Sequence, residues 1–576
     1  MTELQGISGA PGCAMGVAVV KHAGKIVPER RTIDDPAKEI ERFHAAKDTH
    51  MQRLETLYAK TLESLGEKEA EIFRAHQIIL QDEYFFGQAL DRVKNDLVAV
   101  DYAIEEEKKG VAAAFAGMDD EYLKERLTDI ETVCYELVCI LNGHSDDFAS
   151  LPQNADGVIL VAEDLTPADT VRMDKNLLRG LVTEKGGATS HTVILAKALG
   201  IPAIVGAKDL PAHIKNGDTL IVDGGTGRIC VNPSPEQLRE HEKASAEEER
   251  RREGYEKAKR EKAVTLDGKI VCVNVNTGDA DSLRGFDKDV CDGVGLFRTE
   301  FLYMDHADYP TEDEQFAVYK NMAEKAGGKE VIIRTLDIGG DKQLGYMCLP
   351  VEDNPFLGYR AIRICLDRPE VFNAQLRAIL RASVYGDVKI MFPMIVSLDE
   401  VHAAKAATRR AMDELKAEGV PFNENIKQGI MIETPASVFI SDQLAKNVDF
   451  FSIGSNDLIQ YVTASDRMND KIQHIYDNCN VSVLRAIRTV TESAAKAGIP
   501  VGICGEVASE MRLVPLWAAL GITELSVAPA LVGRVKYVLQ RTSAAKARQD
   551  LATLFDCESA NEARALLDRV LATIVG

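Results

Sequence analysis

The C-terminal half of this chain repeats one pattern about eight times, and that repetition narrows the folds open to it more than any other feature. Short runs rich in β-branched residues alternate with helix-length segments: IVCVNVN (270–276), GVGLF (293–297), VIIRT (331–335), VKIMFPM (388–394), GIMIE (429–433), DFFSIG (449–454), IPVGIC (499–504) and ELSVAP (524–529). Strand and helix in strict alternation give parallel neighbouring strands. About eight such units over 263–576 fit a closed (β/α)8 barrel better than an open sheet. In such a barrel the chemistry lies at the C-terminal strand ends. Polar residues gather there: Arg298, Arg334, Glu433, Asn456 with Asp457, and Cys504 with Glu506.

The first half reads differently, and the whole is a multidomain α/β chain. A Gly-rich turn and a strand, GVAVV, occupy 1–24. Residues 25–144 are expected to be helical. Ile40, Phe43, Met51, Leu54, Tyr58, Leu62 and Leu65 recur at spacings near three and four, and Pro is absent between Pro36 and Pro152. Short apolar strands and tight turns return over 145–232 (GVILVAE, GLVTEKGG, IPAIVG, TLIVDGG). The first and third stretches are expected to form one α/β domain, with the helical block inserted into it. Residues 233–262 are charged and nearly devoid of large apolar residues. They predict a solvated linker helix leading to the barrel at 263–576.

Composition removes several function classes. The net charge of −22 argues against nucleic acid or an anionic membrane as the main partner. No apolar run approaches the roughly 18 residues that span a bilayer. The opening MTELQGISGAPG lacks a basic stretch followed by an apolar one, so no secretory signal is expected. Eleven cysteines are scattered singly, without a CxxC pair. That pattern suits reduced thiols in the cytoplasm rather than a disulfide framework or structural zinc.

Three constellations carry chemistry. Gly186-Gly187-Ala188-Thr189-Ser190-His191 lies between the strand LVTE and the helix TVILAKALG. The glycines permit a sharp turn, Thr189 or Ser190 can cap the helix, and His191 falls in its first turn. The unpaired N–H groups and positive dipole end there keep imidazole neutral and nucleophilic, and favour a phosphoryl group on it. In the barrel, Arg298 (GLFRTEF) and Arg334 (IRTLDIGGDK) end neighbouring strands, where two guanidinium forks suit a phosphate. Glu433 (MIETP) and Asp457 (GSNDL) end adjacent strands, and two carboxylates among oxygen-rich groups suit Mg²⁺. Cys504 (GICGE) follows at the next strand end, where a thiol beside an enolate is a candidate proton donor.

Together these strings resemble the enzyme I family of the bacterial phosphoenolpyruvate:sugar phosphotransferase system, along nearly the whole chain. GISGAPGCAMG resembles the family's opening, and DLTPADT and GGATSHTVILAKALGIPAIVG its phosphohistidine domain. GVGLFRTEFLYMD, RTLDIGGDK, NPFLGYRAIR, GIMIETPAS, GSNDLIQYVTASDRMN and GICGE resemble its barrel blocks. The resemblance implies that His191 accepts the phosphoryl group of phosphoenolpyruvate, with Thr170 as a hydrogen-bond partner. It implies Mg²⁺ on Glu433 and Asp457. It places Arg298, Arg334, Asn456 and Arg467 on phosphoenolpyruvate, with Lys342 and Arg360 nearby, and makes Cys504 the acid that completes pyruvate. It implies a homodimer through the barrel and docking of the phosphocarrier HPr on the helical block. Residues 31–140 hold 14 Lys/Arg against 25 Asp/Glu, a net of −11, which suits a docking role. Asp82 and Glu83, beside the apolar run IIL, are the expected contacts.

Some positions depart from the family pattern. Ala188 stands where the family usually has Arg, and Ser455 and Ile459 replace threonines. Pyruvate phosphate dikinases and phosphoenolpyruvate synthases share the histidine and the barrel, but need a nucleotide-binding domain ahead of the histidine. Here that stretch is mostly the helical block.

Overall fold

The computed structural model describes residues 2–21, 28–64, 67–115, 121–143, 157–163, 165, 177–186, 192–193, 196–197, 200–278, 286–304, 306, 308–340 and 344–575. The chain divides into two compact units, Met1–Glu248 and Glu249–Gly576.

The first unit is built on a sheet of eight strands: β1 (Thr2–Gln5), β2 (Ile7–Ala10), β3 (Cys13–Lys21), β4 (Val158–Ala162), β5 (Leu178–Thr183), β6 (Ala203–Val205), β7 (Thr219–Asp223) and β8 (Arg228–Val231), in the order β1-β8-β7-β3-β4-β5-β6-β2. β3 and β4 are parallel neighbours, with Val17 opposite Val158. All the helices of the block lie between those two strands in sequence, so the block is an insertion that leaves the sheet and rejoins it one strand over. The helices are Pro36–Ser64, Glu67–Leu80, Glu83–Asp96, Val100–Phe115 and Glu121–Leu141. Their apolar stripes meet in a separate core containing Phe43, Leu54, Phe73, Phe86 and Leu137. Leu62 departs from the expected stripe. It is 43 % exposed, while its neighbour Thr61 is buried, so the buried stripe has rotated past it at this end of the helix. Leu65 lies outside the described residues.

The charged stretch forms the helix Pro235–Lys259, shorter at both ends than the segment 233–262. Ser234 N–H donates to Gln237 Oε1 while Gln237 N–H donates to Ser234 Oγ, a reciprocal cap that fixes its start.

The second unit contains the barrel. Its strands are β9 (Cys272–Thr277), β10 (Val294–Phe297), β11 (Glu330–Arg334), β12 (Asp387–Phe392), β13 (Lys427–Ile432), β14 (Phe451–Gly454), β15 (Val501–Cys504) and β16 (Glu524–Val527). Each pairs in parallel with its neighbours, and β16 closes on β9. All eight runs singled out by the alternation are strands. Side chains alternate across each strand. One set packs outward against the helices, as Val273, Val294, Ile333 and Ile430 do. The other points inward, where Leu296, Ile332, Met391, Met431, Phe450 and Cys504 form an inner cluster. A polar group lies at the N-terminal ends of the strands, and a much larger one at the C-terminal ends.

Candidate active site

The C-terminal end of the barrel encloses a cavity of about 560 Å³. Arg298, Arg334, Arg360, Glu433, Asn456, Asp457, Arg467, Cys504 and Glu506 all line it. The expected barrel residues that the structure describes therefore meet in one place. Lys342 lies outside the described residues, as do His191 and Thr170 of the first unit.

Strand ends and the turns after them set each position. Arg334 is the last residue of β11, and Arg298 follows β10, its N–H donating to the Thr277 carbonyl at 2.7 Å. Glu433 follows β13, and Asn456 and Asp457 open the helix Ser455–Thr463 directly after β14. Cys504 ends β15, and Glu506 follows two residues later, its N–H donating to Asn456 Oδ1 at 3.2 Å. Gly505 sits at φ +94°, and a Cβ there would lie 2.3 Å from Ser455 Oγ. Glycine is what allows these two turns to close on each other.

The charges form an alternating chain. Arg334 Nη2 pairs with Glu300, and its Nη1 lies 2.9 Å from Asp337 Oδ2. Asp337 Oδ1 accepts from Arg360 Nη2 at 2.9 Å, and the same nitrogen lies 3.4 Å from Asp457 Oδ2. Tyr461 contributes its hydroxyl to Arg360 Nη1 at 3.1 Å. Every member of the chain from Glu300 to Asp457 is buried. Burial opposes a charge on either guanidinium, but the carboxylates outweigh it and hold the pKa of Arg334 and Arg360 above the ordinary value. Arg334 Nε and Arg360 Nε are buried without a hydrogen-bond partner among the described residues. Four arginines lining one cavity, Arg298, Arg334, Arg360 and Arg467, suit an anionic ligand.

The two carboxylates on the far side want the opposite charge. Burial, then Asp457 and Asp337, pushes the Glu433 carboxyl up to about 8. Its Oε1 accepts from Met394 N–H at 2.6 Å, and its Oε2 lies 2.6 Å from where a Cβ on Gly454 would stand. Asp457 Oδ1 is buried without a partner among the described residues. Those residues contain no cluster of three or more His, Cys, Asp or Glu able to hold a metal. Two carboxylates with an orphaned oxygen fit Mg²⁺, which takes few protein ligands and fills its shell from substrate and water.

Cys504 is 3 % exposed. Burial pushes its thiol up to about 11, opposed by the Arg334 charge and by the Ser452 hydroxyl, which donates to Sγ at 3.8 Å. The thiol is therefore protonated at neutral pH, as a proton donor must be. Ser455 Oγ donates to the Cys504 carbonyl at 2.6 Å, so the serine in place of threonine retains a hydrogen bond. Ile459 packs in the core outside the cavity.

Sequence reasoning missed Glu300, Asp337 and Tyr461. The signal for the first two was present as an acid two or three residues after each strand-end arginine, in Arg298-Thr299-Glu300 and Arg334-Thr335-Leu336-Asp337. Which arginine each acid serves depends on the barrel, because Glu300 pairs with Arg334 rather than Arg298.

Three family models match the chain: the PEP-utilising enzyme N-terminal model over 5–126, its mobile domain over 154–227 and its PEP-binding domain over 252–544. The chain is 41 % identical over 566 residues to the phosphoenolpyruvate-protein phosphotransferase of Geobacillus stearothermophilus, covering 98 % of both proteins. The chain belongs to the phosphoenolpyruvate-protein phosphotransferase family. Family members from Latilactobacillus sakei and Bacillus subtilis (strain 168) are 41 % and 42 % identical, over 98 % and 91 % of this chain and 98 % and 92 % of their own lengths. The family's PEP-binding model contains every barrel residue that lines the cavity.

Proposed function

We propose that this chain transfers the phosphoryl group of phosphoenolpyruvate to its own His191 and from there to a histidine of the phosphocarrier HPr, the first step of sugar uptake by the phosphotransferase system. The observation that carries the reading is the barrel cavity, where four arginines, a carboxylate pair and a protonated buried thiol converge.

The chemistry divides among these groups. Arg298, Arg334 and Arg360 hold the phosphoryl group, while Asn456, Arg467 and Lys342 hold the rest of the substrate. A ring nitrogen of His191 attacks phosphorus in line, a nitrogen–phosphorus bond forms, and the bond from phosphorus to the enol oxygen breaks. Mg²⁺ held by Glu433 and Asp457 would supply charge neutralisation at the phosphoryl and enolate oxygens. The enolate electrons take the Cys504 proton onto the methylene carbon, and pyruvate results. Positioning and charge stabilisation supply most of the acceleration. Thr170 steadies the phosphohistidine, and Glu506 orders the Asn456 turn. The histidine segment must reach the barrel and then the carrier, a motion of the kind that often limits turnover.

The helical block is the reading's docking surface. Ile78 and Tyr84 are 70 % and 78 % exposed beside Asp82 and Glu83, an apolar patch with an acidic rim. Exposed Val351, Leu357 and Met468 on the barrel's strand-end loops support a homodimer through the barrel. No helix among the described residues is long and apolar enough to cross a membrane, and all eleven cysteines are unpaired, in keeping with the cytoplasm.

Incubation with phosphoenolpyruvate labelled in its phosphoryl group tests the reading. Acid-labile, base-stable label is expected on the wild type without ATP, chased onto HPr, and absent from His191→Ala. Label persisting in that variant, or a requirement for ATP, would overturn the assignment.

A further inference from the structure

Among the described residues, Asp337 is the carboxylate that touches both phosphate-facing arginines. Its two oxygens are divided between them, Oδ2 at 2.9 Å from Arg334 Nη1 and Oδ1 at 2.9 Å from Arg360 Nη2. Those arginines come from separate places, the end of β11 and the turn before the helix Ile362–Asp367. Asp337 is 3 % exposed, and both guanidinium groups are also buried. Two like charges so buried repel strongly, and each long side chain has several rotamers to choose from. A single carboxylate accepting from both cancels the repulsion and fixes their mutual distance and tilt. The outer donors are fixed too: Glu300 holds the far Nη of Arg334, and Tyr461 holds the far Nη of Arg360. Each Nε–H is then left buried and unpartnered among the described residues. Both locked guanidinium groups line the cavity, and two forks held at a fixed distance by one carboxylate suit a single phosphoryl group.

Resting on the functional reading above, we propose that Asp337 is a positioning residue that sets the Arg334 and Arg360 forks for the phosphoryl group of the substrate. Its main action is to position the two arginines, although its charge also reaches Glu433 and Arg360 also pairs with Asp457. Its contribution therefore falls more on phosphate-bearing ligands than on ligands that occupy only the carboxylate and enolate part of the site. Gly339, at φ +111°, lets the chain pass so close to Arg360 that a Cβ there would lie 2.4 Å from Arg360 Cβ, which helps fix Arg360 beside the Asp337 turn.

The test is Asp337→Asn in the full chain, with Mg²⁺ and HPr present. Two quantities are measured: the KM for phosphoenolpyruvate in pyruvate release, and the inhibition constant of oxalate, a planar dianion resembling the enolate without its phosphate. Asparagine keeps one acceptor but turns an N–H toward the other guanidinium. The KM is expected to rise about 10- to 100-fold, the scale of losing a charge-assisted hydrogen bond. Oxalate inhibition is expected to stay within about threefold, since no charge-assisted contact to it is lost. Asp337→Glu keeps the charge but displaces both forks, and the same split is expected if the asparagine variant does not fold. Equal shifts in both constants would show a general collapse of the site and overturn the proposal, as would an unchanged or lowered KM. A wild type that phosphoenolpyruvate does not label, in the experiment of the preceding section, overturns the functional reading itself and Asp337's role with it.

Discussion

Replacing Glu524 by Gln should remove a pH-dependent weakness from the barrel. Glu524 begins β16 and points into the floor of the barrel, at the end opposite the catalytic cavity. Its carboxylate fits only because two facing positions lack side chains: Oε1 lies 2.0 Å from where a Cβ on Gly295 would be, and Oε2 3.3 Å from one on Gly502. The neighbours are Asn274, whose Nδ2 donates to Glu330 Oε1 at 2.8 Å, and Lys389, whose ammonium also binds Glu330. Lys389 is thus engaged by Glu330, and Asn274 Oδ1 is buried without a partner among the described residues. The Asn274 hydrogen bond and the Lys389 charge favour the ionised form of Glu524, but they are the smaller effects. Burial, then the Glu330 charge, pushes the Glu524 carboxyl from 4.5 up to about 8. The folded state therefore holds a proton that the unfolded chain releases above pH 4.5. The stability it contributes is complete below that value, declines as pH rises, and is lost once pH passes about 8. Full linkage over that interval is about 5 kcal/mol. Lys389 and the partly exposed floor screen some of it, so about 2–3 kcal/mol is expected between pH 5 and pH 9. A glutamine at this position is nearly isosteric and stays neutral at every pH. The variant should match the wild type at pH 5 and exceed it by about 2–3 kcal/mol at pH 9. The chain's one tryptophan, Trp517, is buried in the barrel unit, so urea unfolding followed by its fluorescence reports on that unit. Parallel loss of stability in both proteins from pH 5 to pH 9 would refute the reasoning.

Cys504→Ser should leave one round of His191 labelling intact while slowing steady-state pyruvate release by roughly 10²-fold or more, because a serine hydroxyl is a far weaker acid than a thiol. Rapid-quench labelling beside pyruvate release separates the two steps, and wild-type rates in both would make the cysteine structural. Asp82 N-caps the helix Glu83–Asp96, accepting from Tyr84 and Phe85 N–H groups at 2.9 and 3.0 Å. Reversing its charge would therefore also cost about 1 kcal/mol of helix stability. Glu83→Lys alone is the cleaner probe: transfer from His191 to HPr should slow at low ionic strength and recover its wild-type ratio in high salt, with autophosphorylation unchanged. Equal transfer rates at low salt would remove Glu83 from the interface.

The sequence by itself determined the barrel and most of the charged residues that line its cavity. Strand–helix alternation is local information, set by β-branched runs, their spacing and the turn residues between them, and all eight runs are strands. Because barrel chemistry lies at strand ends, knowing where each strand stops was enough to nominate Arg298, Arg334, Glu433, Asp457 and Cys504. The strand ends also nominated Asn456, while the resemblance to a known family added Arg467 and Arg360, whose turns carry no such periodic signal. Local reading failed where a partner came from elsewhere in the chain. Leu62 fits the helical stripe, yet it is 43 % exposed. Asp82 reads as a free surface acid, yet its carboxylate caps its own helix.

Only the tertiary structure decided which charges meet. Glu300 and Arg334 are 34 residues apart, Arg360 and Asp457 are 97 apart, and no spacing rule links them. Closing eight strands into a ring brings their ends within hydrogen-bond reach and excludes water. Within that ring burial and the Asp457 charge push the Glu433 carboxyl up, four arginines line one cavity, and Asp337 joins one fork to the other. Burial and long-range pairing are properties of the closed ring. The strand pattern that builds it can be read along the chain, but the electrostatics inside it exist only after closure.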